Sequence, residues 1–182
     1  MSDFLINSNL IFSLVDSGAV VLIIVDYAKY FDSIKFNKKV FKGLNKKNVF
    51  IRNFLIKLFE NKKKVCARNI IDLNSGVIKG TKYFQSVSYS KKFAVLTISK
   101  SRVGVDVEYI KKRYLIKNRD SLSFYRDWTY KEAYCKLKKK NMIDLWDKKI
   151  LYDLPKKTKL FNGFILTVLS QRKFNLYTYK YF

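Results

Sequence analysis

Asp106, Glu108 and Glu132 are three of only 14 acidic residues in a chain of 182 that also carries 38 lysines and arginines, a formal charge of +24. Strict alternation through Val103-Gly104-Val105-Asp106-Val107-Glu108 predicts a strand. In it Val103, Val105 and Val107 face the core, and Gly104, Asp106 and Glu108 share the opposite, outward face. Carboxylates two residues apart on one face repel unless a cation or basic side chains offset them. Mg²⁺ suits such a place, because it takes a small number of carboxylates together with phosphate oxygens and water. The plainer reading of this segment alone is a solvated strand face balanced by nearby lysines.

The third carboxylate lies in Trp128-Thr129-Tyr130-Lys131-Glu132-Ala133-Tyr134-Cys135-Lys136. Tyr130, Ala133, Tyr134 and Leu137 fall at i, i+3, i+4 and i+7, the apolar stripe of a helix, and Glu132, Lys136 and Lys139 line one side of it. An ordinary i,i+4 ion pair between Glu132 and Lys136, with Thr129-x-x-Glu132 as a capping box, competes with metal binding, since a glutamate that caps its own helix is not free for a cation.

Composition narrows the chemistry. The chain has no histidine, and Cys66 and Cys135 are its only cysteines. Four-ligand zinc sites and histidine-based triads are therefore excluded, leaving carboxylates, lysines and a metal. The charge predicts polyanionic partners without choosing among nucleic acid, a membrane surface, a phosphorylated molecule or an acidic protein. The longest apolar run, Ala19 to Val25, is too short to span a bilayer, and two isolated cysteines suit a reducing compartment. A soluble, cytoplasmic protein with no membrane partner is the expectation.

The positioning elements follow from periodicity. Residues 4 to 15 are ambiguous, and Ala19 to Val25 predicts a strand buried on both faces. A helix capped at Asp32 or Ser33 would expose Lys35, Lys38, Lys39 and Lys42. Ile51, Phe54, Leu55, Leu58 and Phe59 form the stripe of another helix, with Arg52 and Lys57 off it and Lys62-Lys63-Lys64 closing it. Val65 to Leu73 reads as a strand, and Tyr83 to Ser88, Phe93 to Ser99 and Val103 to Tyr109 as an antiparallel meander. Beyond Pro155, Leu160 to Leu169 and Phe174 to Tyr181 read as strands. Strands with basic helices recur on both sides of a boundary near residues 100 to 103.

The ordered pair Gly104-Val105-Asp106-Val107-Glu108 and Trp128 to Lys136 resembles the paired signature of the 4′-phosphopantetheinyl transferases, of the kind that activates surfactin synthetase. Ser86-Val87-Ser88-Tyr89-Ser90 is similar to that family's Asn-x-Ser-His-Ser loop, with Tyr89 where the histidine stands. Lys79-Gly80 sits where the family has Gly-Lys-Pro, and Arg52 resembles an arginine placed near coenzyme A. Only 23 residues separate Glu108 from Glu132, fewer than is common in the family.

The resemblance implies an α+β fold of two similar halves, residues 1–102 and 103–182, each a small antiparallel sheet with a packed helix, related by a pseudo-two-fold. It implies an enzyme, expected to be a monomer although the sequence leaves the oligomeric state open, that transfers 4′-phosphopantetheine from coenzyme A to a serine of an acidic apo carrier protein (acyl, polyketide or peptidyl), with Mg²⁺ as cofactor and 3′,5′-ADP as product. Asp106, Glu108 and Glu132 would hold the metal, Glu132 or a water held by the acids would accept the serine proton, and Lys136 would steady the pyrophosphate and serve the leaving group. Arg52, Lys79, Lys82, Ser88, Tyr89 and Lys131 would help bind coenzyme A, with Lys38, Lys39 or Lys42 adding charge. Two alternatives stay open. One is a non-enzymatic nucleic-acid-binding protein, the less favoured because no recognition motif interleaves basic and aromatic residues. The other is a transferase-like protein that has lost activity.

Overall fold

A computed structural model describes residues 7–30, 46–59, 76–78, 80–111, 121–145 and 153–181, and every statement below refers to these. The basic helix expected from residues 32 to 42, the lysine run 62–64, the strand 65–73 and Lys79 lie outside them.

Helix α1 (Ser8–Asp16) resolves the ambiguous first segment. Asn7 caps it, its side-chain oxygen accepting from the Leu10 amide at 3.0 Å, and Ser8, Ile11, Phe12 and Val15 are its buried stripe. Strand β1 (Val20–Asp26) is buried throughout, as its continuous apolar run predicts. A short helix α2 (Tyr27–Tyr30) follows, then α3 (Lys46–Phe59), which buries Ile51, Phe54, Leu55, Leu58 and Phe59.

Strands β2 (Phe84–Ser90) and β3 (Phe93–Ser99) form an antiparallel hairpin, and Lys91 in its turn has a φ of 49°. The expected meander stops there. Strand β4 (Val103–Tyr109) leaves the first sheet and joins a second one with β5 (Lys156–Phe161) and β6 (Phe164–Ser170). Helix α4 (Ser121–Lys138) connects β4 to that hairpin. The single strand expected over Leu160 to Leu169 is in fact broken by Asn162-Gly163, both at positive φ (46° and 77°), the turn chemistry of a tight hairpin. The last strand, β7 (Leu176–Tyr181), returns to the first sheet and pairs parallel to β1.

The strand orders are β2-β3-β1-β7 and β4-β6-β5. Within them the units β1–α3–β2–β3 and β4–α4–β5–β6 have one plan: a strand, a helix, then an antiparallel hairpin whose second strand pairs with the first. The fold is α+β, with two small sheets packed face to face. Val20, Leu22, Ile24, Phe93 and Val95 of one sheet meet Val103, Val105, Val107, Leu166 and Val168 of the other. The outer face of the first sheet carries α1 and α3, and the outer face of the second carries α4. No helix among the described residues is long and apolar enough to cross a membrane.

Candidate functional site

The valines of β4 enter the core between the sheets as expected, but the opposite face is not open to solvent. Helix α4 lies across it, so Asp106 is only 1% exposed and Glu108 and Glu132 are half-buried. Gly104 makes that approach possible. A Cβ at this position would collide with the carbonyl oxygen of Ala133 and come within 3.0 Å of the Leu137 Cβ.

Thr129 adds a polar anchor. It is fully buried in the middle of α4, where its hydroxyl donates to the Tyr125 carbonyl at 2.9 Å or shares a 2.8 Å bond with Thr167, the residue paired with Asp106 across β6. It is therefore no N-cap: α4 begins eight residues earlier, at Ser121, and the expected capping box is absent. This frees the Glu132 carboxylate from its competing role.

Docked in this way, α4 brings one oxygen from each of Asp106, Glu108 and Glu132 within 4.8 Å of one another. Lys136 Nζ donates to Asp106 Oδ1 at 2.7 Å and to the Val105 carbonyl at 3.1 Å, and lies 3.8 Å from Glu132. Ser88 donates a second hydrogen bond to the same Asp106 oxygen, also at 2.7 Å. The other oxygen, Oδ2, is buried and has no hydrogen-bond partner among the described residues. Burial pushes Glu132 up to about 7, helped by the charge of Asp106, by a hydrogen bond that its protonated form makes to Asp106 and by the charge of Glu108, and opposed by Lys136. Among the described residues, Lys136 is the ammonium that meets Asp106 and Glu132.

Ser88 belongs to a seam. The serines of β2, spaced by two, meet the free edge of β4: Ser86 accepts from the Val105 amide and Ser90 from the Tyr109 amide, both at 3.1 Å, while Ser88 reaches Asp106. Side chains thus occupy an edge that a neighbouring strand would otherwise pair. The Ser-x-Ser-x-Ser pattern is a strand face joining the two sheets rather than a loop.

A pocket of about 230 Å³ opens beside this seam, lined among others by Asn48 of α3, Gln85, Val87 and Tyr89 of β2, and Lys136 of α4. The Tyr89 hydroxyl and Arg52 Nε are buried without partners among the described residues. Burial holds the Tyr89 phenol well above its ordinary value, with the nearby Arg52 guanidinium acting against the shift.

Of the residues singled out by sequence, the structure gathers Asp106, Glu108, Glu132, Lys136 and Ser88 at one point and Tyr89 beside it. Lys131 precedes Glu132 on α4 and is half-buried. Lys82 is elsewhere engaged: it pairs with Asp16 at 3.2 Å, in a cluster with Lys100 and Tyr83. Sequence reading missed Asn48 and the structural roles of Gly104 and Thr129. The one available signal was a glycine inside a strand pattern, which marks close backbone approach. Comparisons with protein-family models and with curated proteins find no match for this chain.

Proposed function

We propose that this protein is a Mg²⁺-dependent 4′-phosphopantetheinyl transferase acting on coenzyme A and an acidic apo carrier protein. The observation that carries the reading is the orphaned Asp106 Oδ2, buried beside Glu108 and Glu132 with Oδ1 already committed to Ser88 and Lys136. A buried acceptor without a donor is costly. A cation relieves it, and an all-oxygen donor set selects a hard one. The residues present therefore fit Mg²⁺, held by Asp106, Glu108 and Glu132. Bound there, the metal supplies charge neutralisation for a pyrophosphate.

The remaining roles fall to side chains of this chain. Lys136 stands between the trio and the pocket, placed to hold a phosphate oxygen and to stabilise the departing 3′,5′-ADP. Glu132, at the edge of the trio, accepts the proton of the carrier serine as its oxygen attacks phosphorus. Tyr89 lines the pocket, and its hydroxyl and the Nε of the nearby Arg52 are buried donors without acceptors among the described residues, suited to the acceptor-rich coenzyme A. The repeated strand–helix–hairpin plan is consistent with the paired halves of that transferase fold. A basic surface complements an acidic carrier.

The test is transfer itself. Incubated with coenzyme A, Mg²⁺ and a panel of apo acyl, polyketide and peptidyl carriers, the protein should add one phosphopantetheine to a carrier serine by mass spectrometry, and Asp106→Ala should abolish the gain. No mass gain on any carrier would refute the proposal.

A further inference from the structure

A larger cavity, about 560 Å³, lies where β1 and β7 begin and β3 ends. Lys100, Arg172, Lys173, Ser99, Ser101 and Tyr177 are in its wall, and no acidic residue is. Lys100 is tied down, donating to the Asp16 carbonyl at 2.6 Å. Arg172 and Lys173 are exposed, and neither forms an ion pair among the described residues.

Behind these cations runs a chain of hydroxyls. Ser99 and Ser101 are 3.3 Å apart and Ser101 and Ser170 3.0 Å, with Ser99 and Ser170 buried. Backbone amides already donate into it, from Ser101 to Ser99 and from Arg172 to Ser170. Three hydroxyl protons serve two links, so one proton is left for an acceptor outside the chain. Two cations without ion pairs and a spare O–H donor, with no carboxylate among the described residues of the wall, ask for an anion rich in acceptors. The volume is that of a small-molecule site, and Tyr177, 44% exposed, offers a ring beside the charges.

We propose that this cavity binds the phosphate group of a small phosphorylated molecule, as a site separate from the acidic trio. Calorimetry on the full, metal-stripped chain with inorganic phosphate and with AMP tests it. Both should bind, and joint Arg172→Ala and Lys173→Ala substitution should weaken each by about tenfold or more. AMP binding tighter than phosphate, with the difference removed by Tyr177→Ala, identifies a nucleotide as the ligand; equal affinities identify free phosphate. Because both substituted cations are exposed, the melting temperature should hold. Ser99→Ala, which removes a hydroxyl of the chain, should independently weaken binding. Failure of both ligands to bind, or binding that survives loss of the two cations, would overturn the assignment.

Discussion

The first strand of each repeated unit occupies the same place and meets a different fate. In β1, Val20, Leu22 and Ile24 face the core between the sheets, and Val21, Ile23 and Val25 face the layer of α1 and α3. In β4, Val103, Val105 and Val107 face that same central core, and the helix-facing positions are Gly104, Asp106 and Glu108. One copy of the plan covers its strand with hydrocarbon. The other brings its helix closer, over a glycine, and puts carboxylates where the first has isoleucine and valine. An acidic cluster thus comes from changing side chains on one face of a strand without changing the architecture, with the valine face left to stabilise both.

The sharpest way to break the comparison is to give β1 the chemistry of β4. Ile23→Asp would bury a carboxylate with neither a Ser88 nor a Lys136 to meet it, and should cost about 3–5 kcal/mol in denaturant unfolding. A loss below 1 kcal/mol would mean the apolar surroundings of β1 are not what separates the two strands. Next is the helix approach: Gly104→Ala should cost about 1–3 kcal/mol, with loss of metal-dependent coenzyme A binding because α4 is displaced. Full binding in that variant would show that the trio does not depend on the close approach.

The pH dependence has a definite sign. Folding raises Glu132 from its ordinary 4.5 to about 7, so the folded state holds this proton more tightly than the unfolded one. The resulting stability is complete below about pH 4.5 and lost as pH climbs through about 7. Metal-free protein should therefore lose stability across this interval, and Glu132→Gln should flatten the loss; identical profiles would contradict the burial of this charge. The smallest effect belongs to the anchor under the site: Thr129→Val should cost about 1 kcal/mol through its bond to Thr167.

Much of this was legible in the sequence, because periodicity reports which side chains share a face. The stripe from Ile51 to Phe59, the valine face of β4 and the stripe from Tyr130 to Leu137 follow from spacing alone, and the three carboxylates were singled out together. Periodicity does not report which strands are neighbours. The recurrence of strands and basic helices put a boundary near residues 100 to 103, where the chain changes sheets, but the spacing alone ran β4 on from β3 as a meander and did not show that β7 returns to the first sheet. The burial of Asp106 was hidden for the same reason, since it depends on the turn of α4 at Ala133, 27 residues along the chain, docking over Gly104. Two local signals were readable and passed over: Asn7 capping the 8, 11, 12, 15 stripe, and the Asn162-Gly163 turn.

The central claim is that the polar face of β4 binds metal in order to hold coenzyme A. Calorimetric titration of coenzyme A with and without Mg²⁺ tests it most directly, on the natural protein and on Asp106→Asn. Mg²⁺ should tighten binding in the natural protein and have no effect in the variant. Coenzyme A affinity indifferent to Mg²⁺, or tightened equally in Asp106→Asn, would contradict the account.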